Sequence, residues 1–173
     1  MMVAYRRNVV PGGTFFFTVT LRDRRSRALV DRIDDFRKAY EHVHRARPFA
    51  NDAIVVLPDH LHCVWTLPDG DADYAGRWRA IKARFTSACR RAGVVLTRDD
   101  AGAFDLWQRR YWEHTIRDER DFEAHVNYIH YNAVKHGHAK APRDWPYSSF
   151  HRYVRNGLLP PDWAVTSDLD VPE

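Results

Sequence analysis

The stretch of sequence that decides the fold reads Val55-Val56-Leu57-Pro58-Asp59-His60-Leu61-His62-Cys63-Val64-Trp65. Its β-branched, leucine and aromatic residues are typical of buried β-strands, with a break at the proline. Because strand residues i and i+2 point to the same face, His60 and His62 present their imidazoles on one side while Leu61 faces the core. Neutral imidazole is the commonest metal-binding side chain, so the pair predicts half of a metal site. An ordinary pair of half-buried histidines is the alternative at this point.

A helix predicted over residues 118–136 supplies polar groups of another kind. Asp118 suits its N-terminal cap and Gly137 its C-terminal end. One apolar stripe recurs at helical spacing: Phe122, Val126, Ile129 and Ala133. On a second face Tyr128 and Asn132 lie one turn apart and offer a phenolic nucleophile and a carbonyl oxygen suited to a hard divalent ion. Taken singly, each also fits a plainer role, as a tyrosine at the core boundary and as a solvated asparagine.

Alternation and helical periodicity divide the rest of the chain into short elements. Strands are predicted at residues 14–21, 53–57, 61–67 and 107–116, and helices at residues 31–45 and 74–90. With the helix at 118–136 the order is β-α-β-β-α-β-α, which predicts one α+β domain over residues 1–173. The first strand and the histidine strand should lie side by side at the centre of the sheet. A proline-broken tail, residues 139–173, carries aromatic residues that should pack back on the domain.

Composition limits the class of protein. The chain has 173 residues, of which 45% are hydrophobic, so it is long and apolar enough to bury a core. It has no run of 18 apolar residues for a membrane span and no apolar signal region near its N-terminus. Two cysteines are too few for a disulfide framework, and Cys63 falls on the strand face opposite His62, as a buried small residue would. These features predict a cytoplasmic protein.

Basic residues are clustered along the chain, although the net charge is only +4. One predicted loop contains Arg22, Arg24 and Arg25. Aromatic residues flank Arg109 and Arg110 in the sequence. Arginine neutralises phosphates, and aromatic faces stack unpaired bases at about 1–3 kcal/mol each. The pattern therefore favours single-stranded or hairpin nucleic acid as a partner, whereas a solvated arginine-rich surface is the plainer explanation of any one cluster.

Several motifs, taken in order, resemble a known family. His60-Leu61-His62 is similar to the His-hydrophobic-His motif of the HUH nucleases, and Tyr128 with Asn132 matches the catalytic helix of their single-strand transposases. The branch of REP-associated tyrosine transposases is the closest in pattern. The segments that carry this likeness span residues 5 to about 163: Tyr5-Arg6-Arg7, Gly12-Gly13-Thr14-Phe15-Phe16-Phe17-Thr18-Val19, Leu57-Pro58-Asp59-His60-Leu61-His62-Cys63, Tyr111-Trp112-Glu113-His114, Asn132-Ala133-Val134-Lys135-His136-Gly137 and Trp145-Pro146-Tyr147-Ser148-Ser149.

The resemblance implies a complete enzyme. It implies a ferredoxin-like or RRM-like antiparallel sheet with helices on one face, and Mg²⁺ or Mn²⁺ held by His60, His62 and Asn132. Many relatives have glutamine where this chain has Asn132. Tyr128 would attack DNA at REP-type hairpins and form a 5′-phosphotyrosine. Tyr5, Arg6 and Arg7 join the arginine clusters as expected DNA contacts, and a monomer with its site completed in cis is expected over a dimer.

Two other functions are compatible with the same residues. A non-catalytic protein that binds DNA hairpins would keep hairpin affinity and lack cleavage. A metal-dependent phosphoesterase that activates water would cleave without any covalent protein–DNA adduct, and Tyr128 would then be structural.

Overall fold

The computed structural model describes residues 7–164, and the predicted order of elements is confirmed within them. The elements are β1 (Thr14–Thr20), α1 (Ala28–Asp31), α2 (Ile33–Ala46), β2 (Ala50–Val56), β3 (His60–Thr66), α3 (Tyr74–Arg91), β4 (Trp112–Thr115), α4 (Glu119–Lys135), a 3-10 turn (Pro142–Asp144) and α5 (Phe150–Arg155). The fold is α+β, as predicted. The short helix α1 was not foreseen, and it directly precedes α2.

The four strands form one antiparallel sheet in the order β2-β3-β1-β4. Strands β1 and β3 lie side by side at its centre, as the sequence predicts. Their register pairs Thr18 with His62 and Thr20 with His60, so the two histidines lie near the end of β1. Strand β3, which carries these histidines, is held rigid because it pairs with β1 on one side and with β2 on the other.

Helices cover both faces of the sheet. Helices α2 and α3 pack on the face that carries Phe17, Cys63 and Trp65, all fully buried. Helix α4 packs on the opposite face, against Phe16 and Val64. The resemblance implies helices on one face only, and α2 and α3 do share one face. Helix α4 covers the other face, because both faces of the two central strands carry apolar side chains that must be buried. This arrangement places α4 on the same face as His60 and His62.

Helix α4 begins and ends where the sequence predicts. The Asp118 carboxylate caps it by accepting a hydrogen bond from the Asp121 backbone at 2.8 Å, and Gly137 follows its end with a φ of 73°. Strand β4, by contrast, is much shorter than the predicted 107–116. Trp107 forms only an isolated bridge with Leu21, and it packs with Tyr111 in the core cluster beneath α2 and α3 rather than alternating along a strand.

The described part of the tail, residues 139–164, lies along the outer strand β2. Val56 donates its backbone N–H to the Tyr147 carbonyl at 2.9 Å, and the Trp145 indole N–H donates to the Val56 carbonyl at 3.0 Å. These bonds cover an edge strand that would otherwise offer unpaired backbone groups. Within residues 7–164 no helix is long and apolar enough to cross a bilayer.

Candidate active site

His60 and His62 form the floor of the candidate site. Both side chains are buried, and their ring centroids lie 5.0 Å apart with nearly perpendicular planes. Strand geometry directs both rings toward α4, because Leu61 between them packs in the cluster beneath α2 and α3. The sequence thus predicted their shared face, and the structure adds that this face is closed by a helix.

Hydrogen bonds fix both imidazoles. Nδ1 of His60 lies 2.8 Å from Oδ1 of Asp59, and Oδ2 of Asp59 accepts a hydrogen bond from Nε of Arg24 at 2.5 Å. Nδ1 of His62 lies 2.7 Å from Oγ1 of Thr18, its partner on β1. Such bonds to one ring nitrogen orient the other toward a metal and raise its basicity as a ligand.

The environment keeps both rings in the neutral form that a metal requires. Burial is the main cause that holds the pKa of His62 well below its usual value, and the nearby His60, His136 and Lys135 side chains oppose a second positive charge there. Burial also lowers the pKa of His60, although the Asp59 carboxylate opposes this shift. Burial alone would raise the pKa of Asp59, but hydrogen bonds from Arg24 and His60 bring it below its usual range. A neutral imidazole pair backed by an ionised carboxylate suits cation binding.

Helix α4 brings Tyr128 and Asn132 over the histidines. The Tyr128 ring lies 5.1 Å from the His62 ring in an edge-on contact, and the His136 ring lies 5.0 Å from the His60 ring. Asn132 stands one helical turn from each of these two residues, on the same side of α4. It is 0% exposed, so its amide is buried beneath α4.

His62 and Asn132 have three polar atoms that are buried without a hydrogen-bond partner among residues 7–164: Nε2 of His62 and both amide atoms of Asn132. A buried amide or imidazole left unpaired costs about 1–3 kcal/mol for each group, so native folds rarely retain one without a use. An imidazole nitrogen and a carbonyl oxygen are both ligands for divalent ions. The residues therefore fit the divalent metal that the sequence predicts for His60, His62 and Asn132.

Sequence reasoning missed several side chains that shape the site. Phe16 stacks on His62 at 5.5 Å and contacts Tyr128 at 5.9 Å, and the Lys135 ammonium lies 5.0 Å from the centre of the Tyr128 ring. Helical spacing in the sequence could have indicated two of the missed residues. Lys135 falls two turns after Tyr128 on the same helix face, and His136 falls one turn after Asn132.

The arginines predicted to contact DNA gather at one end of the sheet. The loop with Arg22, Arg24 and Arg25 follows β1, and Arg109 and Arg110 precede β4, so both segments flank the Thr20–His60 pair. All five side chains are exposed. Ion pairs join Arg24 to Asp59, Arg25 to Asp23 and Arg109 to Asp99. The Arg7 guanidinium lies 5.1 Å over the Tyr111 ring, and Tyr5 and Arg6 lie outside the described residues.

The chain is similar to known proteins over nearly its whole length, although no family model matches it. It is 50% identical over 163 residues to a REP-associated tyrosine transposase of Escherichia coli K12, covering 94% of this chain and 92% of the relative. It is 43% identical over 174 residues to a protein of Haemophilus influenzae described as a putative REP-associated tyrosine transposase, with 98% of each chain covered. A solved structure of a REP-associated tyrosine transposase bound to a REP hairpin superposes with a TM-score of 0.85, at 49% identity and with 99% and 98% of the two chains covered.

Proposed function

This chain belongs to the REP-associated tyrosine transposases, and we propose that it cleaves and rejoins one DNA strand at REP-type hairpins through Tyr128. His60, His62 and Asn132 hold the metal ion in this proposal. The observation that carries it is the contact of Tyr128 with His62, one helical turn from an asparagine whose buried carbonyl oxygen has no partner among residues 7–164. Packing alone gives no reason to bury that amide.

The reaction follows from the groups in place. The Tyr128 phenol loses its proton and attacks the scissile phosphorus, so that a phosphotyrosine bond to the 5′ side forms while the bond to the 3′ oxygen breaks. The released 3′ oxygen takes up a proton and leaves as a hydroxyl. Because one phosphodiester replaces another, attack by a 3′-hydroxyl reverses the step and joins strands without an external energy source.

A divalent ion is what the family suggests, and we propose Mg²⁺ or Mn²⁺ in particular. When bound, the ion supplies positive charge that polarises the scissile phosphate and stabilises its transition state. A carbonyl oxygen and two imidazoles, with no thiolate, suit such ions and leave coordination positions for substrate. Asp59 and Thr18 keep the two imidazoles oriented, while Phe16 excludes water from one side of the His62 ring.

We also propose a substrate, an assembly and a compartment. The exposed arginines around the Thr20–His60 end of the sheet suit the phosphates of a single-stranded or hairpin DNA that enters there. We propose a monomer in which α4 completes the site in cis. We place the protein in the cytoplasm with its DNA, and both of its cysteines are buried and unpaired.

Labelled hairpin DNA tests the proposed function directly. Wild-type protein with Mn²⁺ should form a covalent adduct that survives a denaturing gel, and EDTA should abolish it. Random duplex of equal length should give no adduct and should bind more weakly at physiological salt, with hairpin affinity falling steeply as salt rises. Cleavage without adduct would indicate an activated-water phosphoesterase, and hairpin binding without cleavage would indicate a non-catalytic binder.

Asp59→Asn should raise the Mn²⁺ concentration needed for half-maximal cleavage by about 10–100-fold, because the carboxylate orients His60 and holds its Nδ1 proton. Saturating Mn²⁺ should restore most of the rate, since no ligand has been removed. Asp34→Asn on the exposed face of α2 is the matched control and should leave the Mn²⁺ dependence unchanged. An Asp59→Asn variant with wild-type Mn²⁺ dependence contradicts the orienting role.

A further inference from the structure

A second cluster of ligand-type side chains lies on the α4 face of the sheet, away from His60 and Asn132. It consists of His114 on β4 with Asp121 and His125 on α4, and one ligand atom from each lies within 4.8 Å of the other two. Nε2 of His114 lies 2.9 Å from Oδ2 of Asp121, and Nδ1 of His125 lies 3.2 Å from Oδ1 of the same carboxylate. The proposed reaction uses none of the three.

The two imidazoles face each other in a way that suits one ion. Their rings stack at 4.7 Å with planes 17° apart, so both nitrogens can approach the carboxylate from the same side. Two ligand atoms on one tetrahedral ion are about 3.3 Å apart at ordinary Zn²⁺ bond lengths. The separation of 2.9 Å between Nε2 of His114 and Oδ2 of Asp121 is close to that value.

The surroundings support the cluster as a built site. The Asp121 side chain is 8% exposed, His125 is 17% and His114 is 29%, so an ion can enter past His114 while the carboxylate stays sheltered. Nδ1 of His125 also lies 2.7 Å from the Asp121 backbone carbonyl. Metal-binding histidines commonly donate their second ring N–H to such an oxygen, which leaves Nε2 for the ion.

Neighbouring groups hold the Asp121 carboxylate in place. Its Oδ2 atom accepts hydrogen bonds from His114 Nε2 and from the Arg117 backbone N–H at 2.9 Å each, and Arg117 Nε lies 3.4 Å from the same oxygen. Part of this carboxylate's hydrogen bonding belongs to the start of α4, where it accepts from Arg117. The remaining oxygen and the two stacked imidazoles are not explained by capping.

We propose that His114, Asp121 and His125 bind a first-row transition ion of the Zn²⁺ class at a second metal site. Two imidazoles and one carboxylate match the donor sets of zinc sites, and the fourth position is left to water. The ion would join β4 to the first turns of α4, one turn before Tyr128. The Phe16 ring, 4.7 Å from His125, links this site to the His62 ring.

Cobalt binding to the full-length protein tests the proposal, because Co²⁺ is a visible probe of His-rich sites. We expect two Co²⁺ per wild-type chain, one in His114→Ala, one in Asp121→Asn, and two in the control His42→Ala, which changes a surface histidine on α2. Removing one ligand should weaken Zn²⁺ by more than the about 10–100-fold that an outer-shell change costs.

Thermal unfolding gives a second readout. In His62→Ala, which keeps only the His114 cluster, Zn²⁺ at about 100 times its dissociation constant should raise the Tm by about 5–10 °C, and this rise should vanish in the double variant His62→Ala/Asp121→Asn. Asp121→Asn retains an oxygen that can accept from Arg117, so the start of α4 should survive. Equal Co²⁺ stoichiometry in wild type, His114→Ala and Asp121→Asn overturns the proposal. The proposal is also overturned if His62→Ala is the only one of these variants that loses a Co²⁺. If Co²⁺ binds only at the His114 cluster, the result instead contradicts the metal proposed for His60, His62 and Asn132.

Discussion

Tyr128→Phe should reduce covalent protein–DNA adducts, cleavage and strand joining to background, while hairpin affinity stays at the wild-type level. The substitution removes the phenolic oxygen that attacks phosphorus and keeps the ring. That ring makes the packing contacts, edge-on against His62 and Phe16 and beneath the Lys135 ammonium. The free energy of unfolding should therefore change by no more than about 1 kcal/mol.

Two other tyrosines serve as matched controls for this variant. Tyr131 lies three residues further along α4, and Tyr111 packs with Phe17 and Trp78 on the opposite face of the sheet. Neither is positioned against His62, so Tyr131→Phe and Tyr111→Phe should keep full adduct yield. Mass spectrometry of the adducted peptide identifies the attacking residue. DNA attached at Tyr131 or Tyr111, or a Tyr128→Phe protein that still forms adducts, would mean that the wrong nucleophile has been named.

The residues that lie on regular elements could be predicted from sequence. Period-two spacing placed His60 and His62 on one face, and period-3.6 spacing placed Tyr128 and Asn132 on one side of α4, because both periods are fixed by local backbone geometry. The bounds of α4 followed from Asp118 and Gly137, whose side-chain and backbone preferences are equally local.

The supporting contacts could not be predicted, because they join residues distant in sequence. Arg24 looked like a DNA contact within a basic loop, and the structure shows it bonded to Asp59, 35 residues away. Whether it also meets DNA stays a prediction. The packing of α4 on the face opposite α2 and α3 depends on Phe16 and Val64 being buried together. The alternation along β1 predicts that one face of the sheet is buried. It does not indicate that the other face is buried too, because that burial depends on how α4 packs.

Asn132→Ala should lower cleavage to background and leave the metal-free protein at least as stable as wild type. In wild type both amide atoms are buried without a partner among residues 7–164, and burying an unpaired polar group costs about 1–3 kcal/mol. Alanine removes that cost and is the better helix former by about 0.5–0.7 kcal/mol, which offsets the small cavity that it leaves. A substitution that stabilises the fold and removes the activity is the expected sign of a residue kept for function.

Urea unfolding in EDTA and the adduct assay in Mn²⁺ measure the two effects separately. Asn132→Gln keeps the carbonyl oxygen on a longer side chain and should retain part of the activity, while His62→Ala should lose cleavage and keep hairpin binding. If Asn132→Ala cleaves at the wild-type rate, its amide is not a metal ligand. If the variant is instead destabilised by 2 kcal/mol or more, roughly the cost of breaking a satisfied buried hydrogen bond, then the amide has a structural partner and the argument from its unpaired atoms fails. Only loss of activity without loss of stability agrees with an asparagine held in the interior to bind an ion beside Tyr128.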